Sequence, residues 1–254
     1  GGKDAASVLI YCRLERTAQV IVWGAFTNAG QNCAAVERVY VEADVADALI
    51  ERMVAITNEL KPGRDTAVMT TRAQRDKVVR HLEDAKASGG EVLTGNDISD
   101  GLDLAPTIVR IDDDEHDFMT EETFGPLLPV MVVKDADEAV ERANRSRYAL
   151  TTSIWTKKIR RGHELAKRLR SGVVTINNHA FTGALPAAPW TGVGDTGYGV
   201  TNSRHALSSL TRVRFVLADS NGADRELWWY PYTPVLRTIA FAMAKLRGGA
   251  GVLG

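Results

Sequence analysis

Cys33 is the residue in this chain best placed for covalent chemistry. It lies in residues 28–41, NAGQNCAAVERVYV, after a helical pattern and ahead of an alternating one. A thiolate is a strong nucleophile, whereas a buried thiol is a small inert hydrophobe, and the buried role is the commoner one. The neighbours favour the nucleophile. Gly30 permits close backbone approach, and Gln31 and Asn32 keep the local backbone polar. If the sulfur lies at the end of a helix or turn, exposed amides would favour its ionised form. Composition alone leaves both readings open.

Other reactive side chains are less suggestive. Glu121 and Glu122 read as a solvated acidic pair, and Phe124 beside them as core packing. The histidines, His81, His116, His163, His179 and His205, never fall at metal-ligand spacing. The acidic run at 112–115 suits a solvated loop better than calcium. No glycine-rich phosphate loop is present, and no metal site is expected.

The elements around these residues alternate between two periodicities. Residues 14–29 read as a helix with Ile21, Val22, Ala25 and Phe26 on one face. ERVYVEA alternates as a strand. DVADALIERMVAITNEL reads as a helix capped by Asp44 and stopped by Lys61-Pro62-Gly63. TTRAQRDKVVRHLEDAKASGG is a further helix, ended by Gly89-Gly90. EVLTG, PTIVRI and LPVMVV are short strands, and DADEAVERANRS opens with Asp135 and Glu138 in capping-box spacing. TTSIWT, KKIRRGHELAKRLRSG and VVTIN continue as strand, helix and strand, the basic residues of that helix forming a solvated face. The Gly- and Pro-rich loop at 178–200 is long enough to suggest function. LTRVRFVLA reads as one last strand. The rhythm predicts an α/β fold: a mostly parallel twisted sheet with helices on both faces, plus a C-terminal strand and helical tail.

The 254 residues carry a formal net charge of −1, which gives no electrostatic reason for a nucleic-acid partner. Two cysteines, Cys12 and Cys33, cannot build a disulfide framework and suit a reducing compartment. No signal-peptide pattern opens the chain, and no run reaches the roughly 18 apolar residues of a membrane span. A cytoplasmic protein is expected.

Four ordered stretches carry a resemblance. GAFTNAGQNCAAVERVYV resembles the nucleophile motif of the aldehyde dehydrogenase superfamily. Gly1-Gly2-Lys3 resembles the end of that family's Glu-Leu-Gly-Gly-Lys motif, at a fitting distance from Cys33. EETFGPLLPV is similar to its Glu-Glu-x-Phe-Gly-Pro cofactor motif, and YALTTSIWTKK with RLRSGVVTINN resembles its later landmarks. The resemblance runs from residue 1 to about 216 and implies the family's catalytic domain, with residues 1–13 a remnant of the cofactor-domain junction and 217–254 a C-terminal tail.

It also implies roles. Cys33 would attack an aldehyde carbonyl to give a thiohemiacetal and then a thioester, with its own N–H as one oxyanion donor. NAD or NADP would be the cofactor, with Glu122 on the ribose hydroxyls, Phe124 holding the nicotinamide end and Gly1 alongside. His179, Phe181 and Trp190 fall in the family's substrate-facing segment and would either line the aldehyde tunnel or pack. A small-molecule aldehyde is the expected substrate, and a homo-oligomer built through the terminal strand or the Trp-rich tail after it the expected assembly.

The departures are part of the expectation. In the family the general base is the glutamate of Glu-Leu-Gly-Gly-Lys, which would fall two positions before Gly1, and a second oxyanion donor and most of the cofactor domain would also lie upstream. The chain therefore reads as a truncated portion, largely inactive alone. Three other readings stand: an inactive fold-retaining module, a cofactor-independent cysteine esterase, or one half of a site completed by a separate chain. IYCRLE replaces an acidic stretch of the family, and Cys12 within it is read as incidental. In the tail, Val235, Ile239, Met243 and Leu246 recur at helical spacing beside Arg237, Lys245 and Arg247, after Trp228 and Trp229. That helix could lie on a membrane surface as a peripheral anchor, though packing on its own domain or a partner subunit is favoured.

Overall fold

The computed structural model describes residues 1–95, 100–179, 181–220, 222, 224 and 229–249. β1 (Asp4–Val8) leads into α1 (Leu14–Phe26), β2 (Val36–Glu42), α2 (Ala43–Glu59) and α3 (Arg72–Ala87). β3 (Glu91–Val92), β4 (Thr107–Ile111), the single turn α4 (Asp117–Thr120) and β5 (Leu127–Val133) follow. Next come α5 (Ala136–Arg145), β6 (Tyr148–Ala149), β7 (Thr151–Trp155), α6 (Ile159–Ala166) and β8 (Val173–Ile176). The chain continues through β9 (Trp190–Thr191), β10 (Val193–Gly194), β11 (Val200–Thr201) and α7 (Ser203–Ser209) to the tail helix α8 (Pro234–Gly249).

Seven strands form one sheet in the order β3-β4-β5-β2-β1-β7-β8. Every pairing is parallel except β3 with β4. Alternate residues of each strand feed opposite cores, as the pleat requires. Val39, Val41, Ile108, Leu128 and Val130 pack with α1 and α2 through Ile21, Phe26, Leu49 and Met53. Tyr40, Val109, Leu127 and Met131 pack with α3, α4 and α5 through Val78, Leu82, Phe118 and Ala139. Both faces are thus covered, and the α/β expectation stands. The chain divides into two compact units, Gly1–Thr211 and Arg212–Gly254. Among the described residues no helix is long and apolar enough to cross a membrane.

Three local expectations are corrected, and one strand not read from the sequence is added: within residues 1–13, β1 is an inner strand, paired with β2 on one side and β7 on the other. Asp-Ala-Ala-Ser-Val carries little apolar signal, but Asp4 and Ser7 are buried with the alanines between them. The first helix stops at Phe26 rather than running to 29, because Asn28 and Ala29 turn left-handed at φ 52° and 55°. Glu42, not Asp44, is the N-cap of α2; Asp44 sits in the first turn, where its charge still complements the helix dipole. The expected C-terminal strand does not form. Residues 211–220 carry no regular structure, with Val213 100% and Phe215 83% exposed. Alternation supplies an apolar face, but a strand also needs a neighbouring edge for its hydrogen bonds.

Candidate active site

β5, β2 and β1 are adjacent and parallel, so the segments that enter them finish on the same edge of the sheet. Those segments hold Glu122 and Phe124 before β5, Cys33 before β2, and Gly1 to Lys3 before β1. The three stretches singled out from the sequence therefore meet because of strand order alone. This is the amino end of the strands. A cleft of about 630 Å³ opens at the other end, lined by Leu9, Tyr11, Glu42 and Lys158, and none of the three stretches reaches it.

The Cys33 loop is shaped by backbone that only small or adaptable residues tolerate. After α1, Asn28, Ala29 and Gly30 are all left-handed, Gly30 at φ 68°. A Cβ on Gly30 would stand 2.4 Å from the Gly125 carbonyl oxygen, so only glycine lets the Cys33 loop touch the Phe124–Gly125 turn. Asn28 Nδ2 donates to the Gln31 carbonyl at 3.0 Å, and Gln31 Nε2 donates to the Asn28 and Val68 carbonyls. Asn32 Oδ1 accepts the Ala34 N–H at 3.0 Å and lies 3.8 Å from Cys33 Sγ. Cys33 is exposed and Cys12 buried.

The resting electrostatics differ from the expected thiolate-favouring turn. Partial burial pushes the Cys33 thiol up, and the Asp4 charge adds to it. The Cys33 N–H, directed at its own sulfur, pulls the other way without prevailing.

Gly1 and Gly2 fit between the other two loops. The Gly2 N–H donates to Glu122 Oε1 at 2.8 Å, and a Cβ on Gly1 would stand 2.8 Å from Glu122 Oε2. A Cβ on Gly2 would meet the Cys33 carbonyl oxygen at 2.7 Å. Beneath them is a buried network that sequence reading missed. Lys3, 1% exposed, donates from Nζ to Glu37 Oε2 and to Thr123 Oγ1, each at 2.8 Å. Glu37 accepts the N–H groups of Thr123 at 2.7 Å and Phe124 at 2.8 Å. Gln74 Nε2 donates to the carbonyls of the same two residues, at 2.7 and 3.1 Å. Thr123 Oγ1 also lies 3.1 Å from His81 Nδ1. Burial pulls the Lys3 ammonium down, against the attraction of Glu37. The available signal was VERV: two charges inside an apolar strand, both buried here.

Glu122 and Phe124 are half-buried, and Phe124 is held at φ 51°. With Oε1 on the Gly2 N–H, Glu122 keeps acceptor capacity at Oε2 for a hydroxyl pair.

His179, Phe181 and Trp190 do not share one environment. His179 is 5% exposed and packs behind the Cys33 loop, where a Cβ on Gly24 would stand 2.4 Å from its Cδ2. Its Nε2 has no hydrogen-bond partner, and burial pulls the imidazole down to about 4. Trp190 Nε1 donates to Thr182 Oγ1 at 3.1 Å, on the turn formed by Phe181–Ala184. The Phe181 side chain lies outside the described residues. Among the described residues no group of His, Cys, Asp and Glu could hold a metal ion.

The sequence profile of the aldehyde dehydrogenase family matches residues 1–216. The chain is 34% identical to a 4,4'-diapolycopene aldehyde oxidase of Methylomonas sp. over 92% of its own length and 44% of that protein's. It is 32% identical to a Mycobacterium ulcerans protein provisionally assigned as an NADP(+) succinate-semialdehyde dehydrogenase, over 94% of this chain and 49% of that one. The NADP complex of an NADP-dependent glyceraldehyde-3-phosphate dehydrogenase from Bacillus halodurans superposes with a TM-score of 0.80 at 36% identity. That match covers 84% of this chain and 46% of the other. The NAD+ complex of a Bacillus cereus aldehyde dehydrogenase gives 0.79 at 30% identity, with 84% and 45% covered. The chain spans about half the length of the curated relatives it matches. With the motif loops placed as described and the profile matched over most of its length, the chain belongs to the aldehyde dehydrogenase family.

Proposed function

We propose that the Gly1–Thr211 unit carries the cysteine side of an NAD(P)-dependent aldehyde-oxidising site. The observation that carries this reading is the meeting of Cys33, Gly2 and Glu122 at the entry to three adjacent parallel strands. Cys33 Sγ, once deprotonated, bonds to the carbonyl carbon of a small-molecule aldehyde, and the oxygen takes the negative charge of a thiohemiacetal. The Cys33 N–H would be one donor to that oxygen. Bound NAD or NADP supplies the hydride acceptor. Glu122 and Phe124 hold its nicotinamide-ribose end, with Gly1 and Gly2 too small to obstruct them. Loss of hydride leaves a thioester at Cys33. Water then cleaves its C–S bond, releasing the carboxylic acid and returning the thiol.

Cys12 and Cys33, both unpaired, suit a cytoplasmic setting. The half-exposed edge strand β8 and the exposed, strand-free stretch at 212–218 support self-association as a homo-oligomer. Residues 227–254 carry Arg237, Lys245 and Arg247 and no acidic residue, which also suits peripheral contact with an anionic membrane surface.

The test is to incubate the chain with an aldehyde and either cofactor, map covalent adducts by mass spectrometry, and follow reduced-cofactor absorbance. The reading expects an adduct at Cys33 that disappears in Cys33→Ala. A folded chain that carries none contradicts it.

A further inference from the structure

Arg38 is a buried cation that pairs with no carboxylate among the described residues. It is 4% exposed on β2, on the same strand face as Tyr40. Its Nε and Nη2 donate to the Lys3 carbonyl at 3.0 and 2.6 Å, and its Nη1 to the Tyr40 hydroxyl at 3.1 Å. A guanidinium carries five N–H groups, so two are left over, one on each Nη. The nearby acids on β1 and β2 are committed elsewhere. Glu37 is bound by Lys3 and by the Thr123 and Phe124 N–H groups. Asp4 accepts the Thr151 N–H at 3.0 Å and the Thr151 hydroxyl at 2.7 Å. A buried charge without a counter-charge is costly, and an anion from solution would relieve that cost.

Arg38 lines a cleft of about 390 Å³, a volume in the range of small-molecule sites. Neither Cys33 nor Glu122 lines it. Three more arginines do, Arg142, Arg145 and Arg147, together with Asp114, Glu115 and Glu121. Arg142 binds Asp114 at 2.9 Å and Glu138 at 2.8 Å, so it is held on both sides. Glu121 is taken by Arg147 at 2.6 Å, and Glu115 is exposed. Arg145 reaches Asp114 only at 4.0 Å and pairs with Glu141 at the surface. The Arg147 pairs with Glu121 and Asp195 are likewise exposed. Exposed pairs contribute little, so Arg145 and Arg147 can turn to another anion at small cost. We propose that this cleft is a binding site for a small organic anion, held by its phosphate group between buried Arg38 and the outer Arg145 and Arg147. Guanidinium forks match phosphate oxygens, and a phosphate brings more acceptors and more charge than a single carboxylate. The volume leaves room for an organic body beyond the phosphate.

The experiment is isothermal titration of the full chain with inorganic phosphate, ethyl phosphate and acetate, at one ionic strength set with chloride. The wild type is expected to bind ethyl phosphate at least as tightly as inorganic phosphate, and acetate at least about tenfold more weakly. Replacing both outer arginines, Arg145→Gln with Arg147→Gln, should weaken ethyl phosphate about tenfold or more, and Arg38→Gln should abolish its binding. Should Arg38→Gln fail to fold by circular dichroism, the double variant decides alone. No binding of either phosphate up to about 10 mM, or an unchanged affinity in the double variant, overturns the site. Acetate binding as well as ethyl phosphate overturns the choice of phosphate. Inorganic phosphate binding without ethyl phosphate overturns the organic body. Cys33→Ala should titrate as the wild type does; loss of binding there would put the anion in the Cys33 loop and overturn its assignment to Arg38.

Discussion

Glu37 holds Phe124 in a left-handed conformation: its Oε1 accepts the Phe124 N–H at 2.8 Å while Phe124 stands at φ 51°. A non-glycine residue in that region costs about 1–3 kcal/mol and persists only when its surroundings over-determine it. Here Glu37 grips two successive N–H groups and Gln74 the two carbonyls of the same residues. The Thr123–Phe124 turn is therefore fixed from β2 and α3, not by its own sequence.

That arrangement makes Lys3 expensive to replace. Lys3→Met fills the same space but leaves Glu37 buried without its cation. Breaking one partner of such a pair costs about 3–5 kcal/mol. Urea unfolding of Lys3→Met is expected to show a loss of that order. A loss under about 1 kcal/mol would mean that the two backbone N–H groups satisfy Glu37 without it.

Gly24 sets two physical effects against each other. In a helix interior, Gly→Ala normally stabilises by about 0.5–1 kcal/mol. At Gly24 the added methyl would overlap the His179 ring, 2.4 Å from Cδ2, and overpacking costs about 1–3 kcal/mol. Gly24→Ala is expected to destabilise the wild type yet stabilise a His179→Ala background. Thermal melts of the four variants read this sign change; additive effects would remove His179 from contact with α1.

How much of this was visible beforehand varies with the physics. The parallel sheet and its helices followed from periodicity, which reports burial on one or both faces. Cys33, Glu122 and Phe124 stood out because they sit in motif-like stretches whose order the fold preserves. Lys3 and Glu37 did not, since charged residues in a strand are read as solvent-facing and these two lie 1% and 3% exposed. β1 was missed for the related reason that its polar Asp4 is satisfied by Thr151, far away in sequence. The left-handed turn at Asn28, Ala29 and Gly30 sets Gly30 against Gly125, a contact distant in sequence that no local propensity encodes.

Acid should weaken the fold through two histidines. Burial holds His81 and His179 at about 4, below the ordinary 6.5. Between those values the unfolded chain takes up protons that the folded chain refuses. Their contribution is complete above about pH 6.5 and drains away as pH falls towards 4. Asp4, raised to about 8, acts oppositely, its stabilising share fading as pH rises through the same interval and beyond. The discriminating measurement is therefore a difference. Calorimetry at pH 7 and pH 5 should show a smaller fall in Tm for His179→Phe than for the wild type, and an equal fall would count against a neutral buried imidazole.

Self-association should depend on the exposed, strand-free segment after α7. Residues 211–220 are exposed, with Val213 and Phe215 alternating outwards, and β8 presents a half-exposed edge. Pairing one copy's segment with another's edge would satisfy both. Light scattering at micromolar concentration is expected to report a dimer or larger species that Val213→Pro dissociates. A monomer with the segment intact argues against edge pairing.

Cys33, not Cys12, should be the thiol that reacts. Both thiols are pushed up by burial, so neither is strongly activated at neutral pH. Access then decides the order, since Cys33 is exposed while Cys12 is 6% exposed beneath the sheet's first core. Asn32 Oδ1, 3.8 Å from Cys33 Sγ, is an amide oxygen and cannot take its proton. Labelling of the folded chain is accordingly expected to be slow in absolute terms but at least about tenfold faster at Cys33 than at Cys12. Mass mapping after limited iodoacetamide treatment reads the ratio directly. Preferential modification of Cys12 in protein whose circular dichroism is unchanged would show that the Cys33 loop closes over its sulfur, and the case for a nucleophile at the entry of β2 would fail.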